Sequence, residues 1–136
     1  MLTRGTTPYH NFTLPMKSED ISELYVTYLQ NNTVVLEKSL LDDGVTLVDI
    51  TDMYENGKID ELTPSEEEVS GSQLTVHLSQ EDTLKFIFYP DAKRNIAVIQ
   101  IRLVTGDGEA FASLPVKERV FGVLKDGVIG GTEYGG

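Results

Sequence analysis

The chain is 136 residues long, with 22 acidic against 11 basic side chains, a formal charge of -11, and neither cysteine nor tryptophan. One domain's worth of chain with 40% hydrophobic residues can bury a real core, while the missing cysteines exclude disulfides, thiol nucleophiles, thiolate metal sites and iron–sulfur clusters. The acidic excess repels phosphate backbones and argues against nucleic acid as a partner, and no uninterrupted apolar run exceeds the four residues of 86–89, far too few for a membrane span or a signal peptide.

In chain order, the first extended segment places His10, Phe12 and Leu14 on one face. Residues 24–30 and 33–40 are rich in Val, Leu, Tyr and Thr and flank Asn31-Asn32, and because asparagine tolerates positive φ the pattern predicts two strands joined by a tight hairpin. Residues 42–72 then depart from the rest of the chain. They hold ten acids against one base, Lys58, for a net of -9, whereas the other 105 residues carry 12 acids and 10 bases. The negative charge therefore belongs to one acidic excursion on a nearly neutral body. Within it, residues 52–60 are similar to a calcium loop in their Asp, Asn, Gly, Ile and Asp positions, but Tyr54 stands at the third ligand position and Thr63 where a bidentate glutamate is needed. The reading there is a type I′ hairpin turn at Asn56-Gly57. Thr63-Pro64-Ser65-Glu66 carries the capping hydroxyl, first-turn proline and following glutamate of a short helix stopped by Gly71. The run Glu66, Glu67, Glu68 reads as a solvated face or as a contact for a basic partner surface.

Beyond the excursion, residues 73–78 alternate Leu74, Val76 and Leu78 with Thr75 and His77, the period of a strand with one buried face. Ser79-Gln80-Glu81-Asp82 predicts one capped helical turn leading into a further extended stretch that ends at Phe88. Residues 95–104 bury Ala97, Ile99, Ile101 and Leu103 on one face, as a central strand would, and the opposite face turns polar at Gln100 and Arg102. Gly106-Asp107-Gly108 is a hairpin turn, residues 110–113 and 116–124 are strands, and Pro115 marks a bend or an edge between them. The glycine-rich residues 130–136, with Tyr134, read as a flexible tail or as an arm that orders on binding.

Short strands at regular spacing in a single domain predict an all-β fold, an antiparallel immunoglobulin-like β-sandwich over residues 1–129 with the acidic insertion at 42–72 and the tail at 130–136. The two histidines, His10 and His77, have no neighbouring third ligand, and no nucleophile elbow, phosphate loop or zinc helix occurs. The sequence thus points away from an enzyme and names no catalytic, cofactor or metal residue. Its candidate protein-contact residues are Glu66, Glu67, Glu68 and Tyr134.

Leu2-Thr3-Arg4-Gly5-Thr6-Thr7-Pro8, Phe12-Thr13-Leu14-Pro15, Tyr25-Val26-Thr27-Tyr28, the stretch from Leu78 through Asp82 to Phe86, and Ile99-Gln100-Ile101-Arg102 together resemble a family of small proteins encoded by phages and prophages of Firmicutes. The start also looks like the immunoglobulin-like N-terminal domains of phage baseplate proteins. The resemblance implies a virion structural or assembly protein, tail- or baseplate-associated and placed in the virion. It would dock to other phage structural proteins or to copies of itself, with no nucleic acid, membrane or cofactor. The alternative is a carbohydrate- or cell-surface-binding β-sandwich module, for which the tyrosines would supply the platform.

Overall fold

The computed structural model describes residues 2–50 and 71–123. Among them nine strands follow one another as β1 (Leu2–Thr3), β2 (Tyr9–Leu14), β3 (Ile21–Gln30), β4 (Thr33–Ser39), β5 (Val45–Asp49), β6 (Ser72–His77), β7 (Ile96–Thr105), β8 (Ala110–Ala112) and β9 (Val116–Phe121), with one α-helical turn, α1 (Gln80–Thr83), between β6 and β7 and 3-10 turns at Ser18–Asp20 and Ala92–Arg94. The fold is all-β among these residues. The calcium-like loop 52–60, the turn at Asn56-Gly57, the helix from Thr63, the acids Glu66, Glu67 and Glu68, and the tail with Tyr134 lie outside the described residues.

The strands form two sheets. The larger runs β1-β9-β7-β3-β4, with β8 also paired to β7, and the smaller runs β2-β6-β5. Every pairing is antiparallel except β1 with β9, where Leu2 faces Val120 and Thr3 faces Phe121. Period-two alternation does the sorting. Leu24, Val26 and Tyr28 of β3 and Ala97, Ile99, Ile101 and Leu103 of β7 turn inward to meet Leu74 and Val76 of β6 and Leu14 of β2 in one core cluster. The central placement expected for residues 95–104 holds, since β7 has β3 on one side and both β8 and β9 on the other.

The hairpin at Asn31-Asn32 forms as its chemistry demands, with φ of 52° and 61° at the two asparagines. The capped turn forms too: the Asp82 N–H donates to the Ser79 hydroxyl at 3.1 Å and the Ser79 N–H donates to the Asp82 carboxylate at 3.0 Å. The same carboxylate meets the Lys38 ammonium at 3.0 Å, and although burial opposes its ionisation, the Ser79 N–H and Lys38 hold Asp82 below the usual carboxylate range.

Two expectations are corrected. The stretch after α1 that ends at Phe88 is not a strand, because its backbone is claimed by side-chain amides and not by a neighbouring ladder. Buried Gln30 accepts the Ile87 N–H at 2.8 Å and donates to the Ile87 carbonyl at 2.6 Å, and buried Asn95 does the same for Tyr89 at 2.7 and 2.8 Å. The strand expected over 116–124 ends at Phe121. In addition, the acidic excursion starts as sheet: Val45 faces Val76 and Leu47 faces Leu74 across β5 and β6. Two of its acids act as turn fasteners, Asp42 accepting the Ser39 N–H at 2.7 Å and Asp49 the Ser18 N–H at 2.8 Å.

At the corner between β4 and β5, Gly44 takes φ of 85°, and a Cβ there would run into the His77 carbonyl oxygen. Its own carbonyl accepts the His77 N–H at 2.8 Å. Gly44→Ala combines left-handed strain with a backbone collision, so it is expected to lower stability by about 1–3 kcal/mol. Urea denaturation checks this, and an unchanged midpoint would show that the corner can be rebuilt without penalty.

Candidate interaction surface

The outer edge of β7 carries two consecutive short strands instead of one long one. Arg102 faces Ala112 and Ile99 faces Val116, so two residues of β7, Gln100 and Ile101, stand opposite three, Ser113, Leu114 and Pro115. This is a β-bulge with one surplus residue. Ser113 holds the ladder together across it: its N–H donates to the Ile101 carbonyl at 2.8 Å, its hydroxyl accepts the Ile101 N–H at 2.9 Å, and its carbonyl accepts the Gln100 side-chain N–H at 3.0 Å. Pro115 has no N–H to offer a ladder. Leu114 is thrown outward and is 87% exposed.

The result is an edge with an unusual surface. From Ala110 to Val116 no residue is charged, and Phe111, Leu114 and Val116 are all exposed. Among the described residues no strand lies beyond β8, and β1 covers only the far end of β9. Thr105 donates its N–H to the Glu109 carbonyl at 2.9 Å and Ser113 bonds to Ile101, so residues 109, 111 and 113 turn their backbone groups toward β7 and Ala110 and Ala112 turn theirs outward. Natural sheets usually protect such an edge with charge. Here the charges stand at its two ends, Asp107 and Glu109 at one and Lys117, Glu118 and Arg119, the two bases exposed, at the other. The Thr105 hydroxyl and the Glu109 N–H hold Asp107 below the usual carboxylate range. On the sheet side, Tyr25, Arg102, Val104, Ala110, Phe111 and Ala112 line a shallow cleft of about 350 Å³. Arg102 is steadied over it by Glu37 at 3.5 Å, and Glu37 also accepts the Thr27 hydroxyl at 2.9 Å.

A second feature lies on the other sheet. Tyr9 and His77 are cross-strand partners whose rings stack at 4.0 Å and 6°, with Tyr9 64% exposed. The stack adjoins a polar cleft whose walls include His77, Lys38, Asp43, Gln80 and Asp82. The other histidine is internal: His10 bonds through Nδ1 to the Tyr28 hydroxyl at 2.8 Å, and its Nε2 is buried without a partner among the described residues. No group of three or more His, Asp or Glu among the described residues is placed to hold a metal ion, and no helix among them is long and apolar enough to cross a membrane.

The contact candidates of the sequence, Glu66, Glu67, Glu68 and Tyr134, are not among the described residues, and the surface at β8 and β9 is defined instead by strand register and exposure. Pro115 was its signal in sequence. Its meaning depends on β8 being an edge, which only the pairing reveals. No protein-family model matches the chain, and no curated protein or solved structure is detectably similar to it.

Proposed function

We propose that this chain is a docking component of a phage or prophage particle, tail- or baseplate-associated, that works by protein–protein contact and folds as an immunoglobulin-like sandwich. The observation that carries the docking reading is the uncharged, solvent-facing edge of β8 and β9 with Leu114 ejected from it, since an open apolar edge is a template for another chain. The sandwich reading is supported by strand order: β2-β6-β5 corresponds to the B-E-D sheet of immunoglobulin domains and β9-β7-β3-β4 to G-F-C-C′. The helical turn α1 stands where the E–F crossover would be. The phage context rests on the sequence resemblance described above.

A carbohydrate- or cell-surface-binding module is the second reading. The Tyr9–His77 stack beside a cleft holding Lys38, Asp43 and Asp82 favours it, because sugars pack an apolar ring face on aromatics and bond their hydroxyls to charged and amide groups. Purified virions separate the two. The chain is expected as a stoichiometric component detected by mass spectrometry; its consistent absence, together with glycan-array binding abolished by Tyr9→Ala, would transfer the assignment to the second reading.

A further inference from the structure

We infer that the partner of the β8–β9 edge is a second copy of this chain, paired antiparallel about a two-fold axis, with Leu114 of each copy seated in the cleft between Tyr25 and Phe111 of the other. The inference rests on the docking reading and names its occupant.

Charge order along the edge carries the argument. Its start is acidic, with Asp107 and Glu109 beside Glu19 and Asp20 around the same hollow; its middle, Ala110 to Val116, is uncharged; its end is net basic, the exposed Lys117 and Arg119 flanking the half-buried Glu118. A two-fold axis through the uncharged stretch reverses the second copy, so the acidic end of each meets the basic end of the other. A foreign strand has no reason to carry this order, whereas a second copy carries it by construction. Residues 107–119 contain three acids and two bases, so the edge is close to neutral on a chain of -11. This segment itself therefore adds little like-charge repulsion between copies, and the basic end of each offsets part of the acidic cluster of the other.

The shapes agree with the charges. An isologous contact needs a knob and a hollow on the same patch. Leu114 is the knob, and the cleft of about 350 Å³ beside Phe111 is the hollow. Ala110 and Ala112 are small enough to let a second backbone approach, and both present their N–H and C=O outward for it.

Sedimentation velocity on the full chain, from about 1 μM to about 500 μM, is the test. A reversible dimer is expected. Leu114→Asp, at a site already 87% exposed, leaves the circular dichroism unchanged and weakens the dimer about tenfold or more. Glu109→Lys and Lys117→Glu each weaken it, and the two together restore most of the loss, because the reversed pair again meets its opposite across the axis. Hydrogen exchange at the Ala110 and Ala112 amides slows as concentration rises. A chain that stays monomeric throughout the range overturns the inference, as does a dimer indifferent to Leu114→Asp or a double reversal no better than its singles. Protection of the two alanine amides by a different protein, with the chain itself monomeric, assigns the edge to a foreign partner and also overturns it. The two readings fail separately: absence from virions removes the phage assignment and leaves the dimer, whereas a monomer found in virions removes the dimer and leaves the assignment.

Discussion

Phe86→Ala is expected to lower folding stability by about 3–5 kcal/mol, the range for emptying a fully enclosed aromatic site. Phe86 is completely buried although it lies on no strand. Its ring meets Tyr28 edge-on, with centroids 6.0 Å apart at 76°, a geometry that adds to the area it removes from water. Its backbone is also a junction, because its carbonyl accepts the Arg4 Nε–H at 2.5 Å while the neighbouring Leu84 carbonyl accepts the Arg4 Nη2–H at 3.1 Å. The N-terminal arm is pinned further by Thr83, whose hydroxyl donates to the Thr6 carbonyl at 2.8 Å and accepts the Gly5 N–H at 3.0 Å. Losing the ring therefore opens a cavity where the β6–β7 connection, β3 and the first residues of the chain converge. Chemical denaturation measures the loss, and a change below about 1 kcal/mol would show that the surroundings collapse into the space.

Phe86 also shows where sequence reasoning runs out. The stretch up to Phe88 reads as extended after the Ser79 cap, but the partners that decide its conformation, Gln30 and Asn95, are polar side chains, and Gln30 stands 57 residues away from Ile87. Nothing local announces that two amides will take the place of a β-ladder. By contrast, β6, β7, the Asn31-Asn32 hairpin and the Ser79 cap were legible, since each is specified by its own residues through alternation, positive φ or a capping pair. β5 was hidden by the acids around it, although Val45 and Leu47 alternate correctly. β1 is two residues long and exists only through its pairing with β9. The docking edge was half legible: Pro115 announced an interruption, but that Leu114 is the surplus residue follows from comparing the registers on either side of it.

The pair formed by His10 and Tyr28 yields the second large effect, and it couples stability to pH. The Tyr28 hydroxyl is kept neutral by burial, reinforced by the charges of Asp82 and Glu118, so it remains a donor across the accessible pH range. With Tyr28 donating to His10 Nδ1, the imidazole proton sits on Nε2, which is buried without a partner among the described residues. Burial lowers the pKa of His10 below its ordinary 6.5; Glu118 opposes the shift and the N-terminus adds to it. The folded state thus prefers neutral His10, and the unfolded chain binds the extra proton first. Its contribution to stability is complete above pH 6.5, declines as the pH falls through that value, and levels off once the folded-state pKa has been passed. Tyr28→Phe strips Nδ1 of its partner and is expected to lower stability by about 1–3 kcal/mol, and His10→Phe leaves the Tyr28 hydroxyl stranded with a loss of the same order. The double variant removes donor and acceptor together and should lie well above the sum of the two losses, close to the parent. Urea titrations between pH 8 and pH 4 read both effects. The His10→Phe chains are expected to lose the decline that begins near pH 6.5, and an unaltered pH profile in them would assign the acid sensitivity to the carboxylates, with Asp82, held down by Ser79 and Lys38, the first to examine.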